Sequence, residues 1–500
     1  MSTKSLRVPV SIFKKIFYRA ISVQALQNTE QNLKSWREIP GPARLPFIGQ
    51  LHHFLPGGKF YGLNSEALGR ELHKSYGNIV RLDGFMGRLP FVMLFDPESC
   101  AHILRSENWL PIRTGFETLD YYRKKHGDAT KCTFDSNVKS TGLLTDKDMP
   151  RLWTFNLLYC VRECCEPHAG RHGDSWKQFR STANPVLLQP KTIKLYKTMI
   201  DEVAQDMIKR LKSLRNSENH IESDFEMEMN PLVSRIHCSV HEVFKAADEL
   251  DFKPSIWRYY PTKAFKKAME LYKEQEVLAR YFIDKTIEDL DKSTNKKPDE
   301  EKSVLEKLLA INKEVALIMA SDTSNTITAT LYLLAHNQTK QDNLREEALS
   351  ETDKRPYLKA CIKESIRLLP IVAGNVRMTT KEYNLHGYKI PKGMQISFMH
   401  QTMSTMESQY LRAQEFIPER WLVKKDDPLY HGNAHPFAYQ PFGFGVRSCI
   451  GRRIAELELE LFLLRLMQNF KVEWQGPPIE VKSTSLNYIA GPFNFIFKDL

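Results

Sequence analysis

The chain has 500 residues, 42% hydrophobic and 11% aromatic, with eight cysteines and a formal net charge of +11. That is enough apolar material for a large core and a lined ligand cavity, yet no run reaches the ~18 to 20 consecutive apolar residues of a membrane span. The positive charge points to acidic partners, but no zinc-finger, helix-turn-helix or RNA-binding signature accompanies it, which sets nucleic acid aside.

Residues 1–38 read as a leader. Lys4, Arg7, Lys14, Lys15 and Arg19 occur with no acid before Glu30, interleaved with Val8, Val10, Ile12, Phe13, Ile16, Phe17 and Ile21. This basic, acid-free, amphipathic composition is that of a mitochondrial transit peptide and lacks the continuous apolar core of a secretory signal. A basic surface helix is the alternative. Pro40-Gly41-Pro42 and Pro46 then mark the start of a folded body over 39–500. Short strands are expected at Asn78 to Leu82 and Pro90 to Phe95. Residues 147–171 read as an insertion. They contain Cys160, Cys164, Cys165 and His168, with His172 just beyond, and this spacing matches no standard zinc site. With so few and irregular cysteines, reduced thiols fit better than a disulfide framework.

Helical periodicity dominates the rest: Thr192 to Leu214, Thr262 to Leu290, Glu314 to His336, Tyr357 to Leu369 and Arg452 to Phe470. Asp291 to Lys302 is a charged surface loop carrying Pro298. Further short strands are expected at Tyr388 to Pro391, Gln395 to Phe398 and Phe493 to Phe497. The body is therefore mainly α with small peripheral β-sheets, and without repeats or a clear linker it reads as one large domain.

The chemistry is concentrated in Pro441-Phe442-Gly443-Phe444-Gly445-Val446-Arg447-Ser448-Cys449-Ile450-Gly451. Gly443 and Gly445 permit tight turns close to a bulky planar ligand and leave amides free to face a sulfur. Cys449 lies just before a helix beginning near Gly451, where the dipole and unpaired amides favour thiolate over thiol. Arg447 adds positive charge and suits a carboxylate, and Gly451 lets the helix pass close under a flat cofactor. A structural cysteine in a glycine-rich turn is the competing reading.

The segment resembles the haem-binding loop of the cytochrome P-450 family, F-x-x-G-x-R-x-C-x-G, and the resemblance runs from about Ile39 to the C-terminus. It implies a single P-450-type domain whose cofactor is haem, with Cys449 as axial ligand to the iron, and an oxygen-inserting monooxygenase activity on an apolar small molecule. Phe442, Gly443, Gly445, Arg447 and Gly451 would then shape the cofactor site. Glu364-Ser-Ile-Arg367 and Phe416-Ile-Pro-Glu-Arg420-Trp resemble the family's E-x-x-R and F-x-P-E-R-W motifs, so Glu364, Arg367 and Arg420 would brace the haem loop. Trp176 and Arg180 resemble the W-x-x-x-R helix that meets one haem propionate, and Arg377 resembles the strand arginine that meets the other.

Arg452 and Arg453 after the loop, and Lys359 and Lys363 before Glu364, look like the mitochondrial branch, most like its insect members. There such cations dock an acidic two-iron ferredoxin, itself served by an NADPH-dependent reductase. Lysines four apart form one positive stripe, which suits an acidic partner. The implied location is the matrix side of the inner membrane, with room for peripheral association. A substrate pocket would be lined by the distal helix, the segment around Phe244 to Tyr260 and the turn near Leu486 to Gly491.

The chain departs from the pattern where the family carries A/G-G-x-D/E-T, whose acid and alcohol relay protons for O–O cleavage. Here the run is Met319-Ala320-Ser321-Asp322-Thr323-Ser324-Asn325-Thr326. In one reading Asp322 and Thr323 are that catalytic pair. In the other, Thr323 to Thr326 match the end of A-G-x-D-T-T-S-N-T, and about two helical turns, with the true pair, are missing. A chain without the relay would bind haem yet act as a peroxide isomerase or be inactive. The two readings stay open on sequence.

Overall fold

The computed structural model describes residues 33–46, 48–84, 90–113, 115, 117–126, 173–221, 242–252, 255–292, 323–483 and 486–500. Residues 1–32 of the expected leader, the expected 147–171 insertion with its Cys160 to His172 cluster, and Met319 to Asp322 lie outside these residues.

In chain order, β1 (Lys34–Ser35) precedes α1 (Ser65–Tyr76). The Asn64 side chain caps α1 by accepting the Ala67 N–H, and Gly77 at φ +87° ends it. β2 (Ile79–Leu82) and β3 (Phe91–Leu94) lead to α2 (Pro97–Arg105), whose Asp96 cap accepts the Ser99 N–H, with Pro97 preset for the first turn. The helical half holds α3 (Glu117–His126), α4 (Gly173–Leu187), α5 (Pro190–Leu195), α6 (Lys197–Leu214), α7 (Lys263–Lys292), α8 (Thr323–Ala335), α9 (Gln338–Leu349) and α10 (Pro356–Leu368). Then come β4 (Asn375–Met378), β5 (Tyr383–Leu385), β6 (Tyr388–Ile390), β7 (Gln395–Phe398) and α11 (His400–Ser404). The chain closes with α12 (Arg452–Asn469), β8 (Phe470–Trp474), β9 (Glu480–Ser483), β10 (Asn487–Ala490) and β11 (Phe495–Asp499).

The largest sheet has the order β2-β3-β7-β4, antiparallel except for the parallel β3–β7 pair. The remaining strands form β1-β6-β5 and the two-stranded ribbons β8–β11 and β9–β10. The main core joins α6, α8, α10 and α12 through residues such as Ile200, Leu331, Leu358 and Leu463. Burying each of these aliphatic side chains is worth ~1.5–3 kcal/mol. α8 is buried on all sides from Thr323 to Leu331, although Thr323, Ser324, Asn325, Thr326, Thr328 and Thr330 are polar. A second cluster, including Val92, Ile396, Phe398 and Phe437, fills the sheet side.

Most expected elements sit within a residue or two of their predicted ends. The predicted helix Thr192 to Leu214 is divided at Tyr196 into α5 and α6. The expected loop at Asp291 begins late, because Asp291 and Lys292 still belong to α7, and the rest of it lies outside the described residues.

Candidate functional site

The loop before α12 turns on two glycines. Gly443 and Gly445 have φ of +70° and +69°, in the left-handed region that favours glycine. The turn closes when the Cys449 N–H donates to the Phe442 carbonyl at 2.8 Å, and the Ser448 N–H donates to the Gly445 carbonyl at 3.0 Å. Gly451 is the residue immediately before α12, so the partly exposed Cys449 sulfur lies at that helix's N-terminal end. Two other free cysteines among the described residues, Cys100 and Cys361, are fully buried, and burial pushes both thiols well up.

Three arginines gather round this loop. Arg180 of α4 donates from Nη2 to the Ser448 carbonyl at 2.9 Å. Four residues earlier on the same helix, Trp176 takes the Arg447 guanidinium over its ring, 3.8 Å from the centroid. Arg447 also donates from Nε and Nη2 to the Pro111 carbonyl at 3.2 and 3.1 Å. Arg377 of β4 is buried, with Nε 2.8 Å from Glu107 Oε1. Burial drives the Arg377 guanidinium down from its ordinary value and the Glu107 carboxyl up, while the facing charges oppose both shifts. Arg447 lies close enough to Glu107 to act on it as well.

Buried guanidiniums require anions or saturating acceptors. Glu107 presents a carboxylate to Arg377 and Arg447. The donor set suits a group that carries acidic arms and binds a thiolate. His400, which sequence reasoning missed, belongs to the same wall. It is buried, and burial together with Arg377 pushes its imidazole down to about 4. The Phe437 backbone approaches the ring, but neither nitrogen completes a hydrogen bond of ordinary geometry. It opens α11, two residues after the end of β7, the strand paired with the one that carries Arg377.

Behind the loop, Glu364 of α10 is fully buried and accepts five hydrogen bonds. Arg367 donates from Nε and Nη2 at 3.0 and 2.7 Å, Arg420 from Nε at 2.8 Å, Trp421 from Nε1 at 2.9 Å and Ile417 from its N–H at 3.1 Å. Arg367 also ties down the Ser404, Ala413 and Glu415 carbonyls, and Arg420 those of Leu411 and Arg412. One carboxylate thus fixes the course of the chain from α11 to Trp421.

The basic residues of α10 and α12 share one outer surface. Arg452 pairs with Glu456 one turn along α12 at 2.9 Å, and Glu460, a further turn on, reaches Lys359 of α10 at 3.3 Å. Lys363, one turn from Lys359, packs its ammonium 5.5 Å from the Trp421 ring centroid. Arg453 is exposed beside Arg452.

On the other side of α12, Thr323 and Glu458 are buried, and the Thr323 hydroxyl donates to Glu458 Oε2 at 2.9 Å. Asp322 lies outside the described residues. Near α8 an apolar cluster joins Phe244, Ala247, Ile371 and Leu486, with Leu119 and Val372 against it. The Asn487 N–H holds the Leu486 turn to the Ile371 carbonyl at 2.7 Å, and the Ile489 N–H donates to Asn325 of α8 at 3.1 Å. Phe244 and Leu486 are thus brought together, whereas Tyr259 and Tyr260 point outward, 75% and 64% exposed. Leu119 and Ile371 were not anticipated.

A family model described as Cytochrome P450 matches residues 168–493. Cytochrome P450 CYP12A2 of Musca domestica is 34% identical, with 93% of this chain and 92% of that protein aligned. The probable cytochrome P450 12b2, mitochondrial, of Drosophila melanogaster is 31% identical over 93% of this chain and 90% of its own length. The Musca alignment runs over 526 positions, so it contains residues of the relative that this chain lacks. A crystal structure titled as a cytochrome P450 (CYP102L1) superposes with a TM-score of 0.63 at 17% identity, covering 87% of this chain and 97% of that one.

Proposed function

The chain belongs to the cytochrome P450 family, and on that premise we propose that it is a ferredoxin-fed mitochondrial monooxygenase inserting one oxygen atom of O2 into an apolar substrate. A steroid, another lipid or a foreign compound fits the apolar wall of Phe244, Ile371 and Leu486. Haem is the family's cofactor, and the Cys449 thiolate would hold its iron. The observation that carries the reading is the arrangement about Cys449: a glycine turn at a helix N-terminus ringed by Arg180, Arg377 and Arg447.

When bound, the haem supplies the centre at which dioxygen is reduced and cleaved, with the thiolate pushing electron density toward it. The chain's own residues do the rest. The Phe442–Cys449 turn would present the sulfur at the N-terminal end of α12, where the helix dipole favours a thiolate. Arg180, Arg377 and Arg447, with Trp176 stacked on Arg447, would hold the propionates by charge-assisted hydrogen bonds. Glu364, Arg367 and Arg420 brace the segment leading into the loop. Asp322 and Thr323 are the proposed acid and alcohol that hand protons to the oxygen side. Lys359, Lys363, Arg452 and Arg453 form the cationic surface for an acidic two-iron ferredoxin, which an NADPH-dependent reductase would recharge.

A mitochondrial location is supported by the names of the Drosophila relatives and by the basic, acid-free stretch within residues 1–38. We place residues 39–500 as the haem domain on the matrix side, with peripheral association to the inner membrane. No helix among the described residues is long and apolar enough to cross a membrane. The test is turnover of apolar compounds with ferredoxin, its reductase and NADPH. Oxygen-dependent product supports the reading, and a haem-loaded protein that yields none across a broad panel rejects it.

A second reading, a haem protein without the proton relay, is favoured by one specific contact. The Thr323 hydroxyl is committed to Glu458, on the helix that follows Cys449. In that reading Thr323 is a tie between helices, and the residues missing from the alignment with the Musca protein include the relay. Conversion of ready-made organic peroxides without ferredoxin separates this reading from the first.

A further inference from the structure

Thr118 is the second residue of α3, where backbone N–H groups have no partner inside the helix. Its N–H is taken by the Asp251 carboxylate at 3.2 Å from both oxygens, and its hydroxyl donates to Asp251 Oδ2 at 2.6 Å. Asp251 belongs to a π-helical turn, Asp248–Phe252, a conformation that is rare and concentrated at functional places. The Tyr272 hydroxyl of α7 lies 2.9 Å from Thr118 Oγ1. Because the Thr118 proton goes to Asp251, the phenol is the donor, and burial pushes its pKa up so that it keeps its proton. Thr118, Asp251 and Tyr272 are all buried.

One carboxylate from a distant turn therefore caps α3 and joins it to α7. Packing alone does not require this. A buried charge is costly to desolvate, and an apolar residue of similar volume often stabilises as well or better. What directional bonds to a carboxylate add is fixed geometry, which non-directional apolar contact cannot supply. The next residue shows what is fixed. Leu119 is half-buried and packs both on the Phe244, Ile371 and Leu486 cluster and on the cluster around Phe265 and Tyr272. A slip of α3 would move Leu119 out of the wall of the apolar cluster.

We propose that Asp251 is a positioning residue that caps α3 so that Leu119 closes one wall of the substrate cluster, setting the size of apolar molecule admitted. The proposal rests on the reading that this cluster receives the substrate. The experiment uses the haem-loaded full chain and the variants Asp251→Asn, Thr118→Val and Thr118→Ser. Amide hydrogen exchange in α3 and the association rates of imidazole and 4-phenylimidazole, followed by absorbance, are measured for each. In Asp251→Asn and Thr118→Val, exchange in α3 speeds up about tenfold, the loss expected for one buried charge-assisted bond. The 4-phenylimidazole rate changes relative to the imidazole rate, while Thr118→Ser, which keeps the hydroxyl, behaves as wild type.

Faster exchange with an unchanged rate ratio makes Asp251 structural only and overturns the proposal, as does unchanged exchange. If Asp251→Asn fails to fold, Thr118→Val decides. A wild-type protein that responds to neither azole defeats the monooxygenase reading and the substrate role proposed here. The exchange arm then still reports whether the cap exists.

Discussion

Replacing Glu364 by glutamine tests the bracing cluster with almost no change of volume. The carboxylate is fully buried and accepts five hydrogen bonds, three of them from the guanidiniums of Arg367 and Arg420. Glutamine keeps one acceptor oxygen, turns the other position into a donor facing donors, and leaves two buried cations without their counter-charge. Removing one partner of a buried ion pair costs about 3–5 kcal/mol. Both arginines still hold backbone carbonyls from Ser404 to Glu415, so the damage should centre on that stretch and on the Trp421 turn. Urea unfolding followed by circular dichroism should give a loss of about 3–5 kcal/mol, with faster amide exchange over residues 404–421. A Glu364→Gln protein as stable as wild type, with unchanged exchange there, would refute the claim that this carboxylate holds the chain together.

Reversing Lys359 and Lys363 to glutamate should raise the ferredoxin KM at least about tenfold at low salt and leave peroxide-supported turnover unchanged; the difference should shrink as salt screens exposed charges. Thr323→Val removes the bond to Glu458 and should cost about 1.5–3 kcal/mol in urea unfolding. If Thr323 serves as a tie between helices, the ratio of product to oxygen consumed stays the same, whereas a collapse of that ratio assigns it the relay role. The pair formed by exposed His386 and half-buried Asp96, 2.6 Å apart, raises the histidine above its ordinary 6.5 and lowers the aspartate below 3.8. Its contribution should be complete between those two values. It is lost as pH rises through the raised histidine pKa, and lost again as pH falls through the lowered aspartate one. His386→Asn, which tolerates the φ of +50°, should therefore trail wild type by up to about 1 kcal/mol near pH 5 and converge with it in mildly alkaline buffer.

The proximal half of the site was legible in the sequence because its chemistry is local. Gly443, Gly445 and Cys449 lie within seven positions of one another, and the left-handed turns they form need no distant partner to be foreseen. Trp176 and Arg180 could be read together because one helical turn separates them. The tertiary meeting of Glu364 with Arg420 was readable only through the family resemblance, since the two are 56 positions apart. His400 and Asp251 escaped notice for the opposite reason. Each is a single polar residue in unremarkable surroundings, and its role arises only when another element packs against it. α9 was missed for a related cause, as only Gln341, Leu344 and Ala348 of its twelve residues are buried. It is held instead by Gln341, whose amide bonds the Val472 N–H and carbonyl of β8 at 2.9 and 2.8 Å. A side chain substituting for a neighbouring strand leaves no periodic trace.

The central claim is that Cys449 ligates haem as a thiolate. Its most direct test is the absorption spectrum of the purified protein, reduced and saturated with carbon monoxide, beside that of Cys449→Ser. The wild-type protein should show the red-shifted Soret band of a thiolate-bound ferrous complex, and Cys449→Ser should lose it while its circular dichroism remains helical. A wild-type protein with no Soret band, or a Cys449→Ser protein that keeps the thiolate band, would contradict the account.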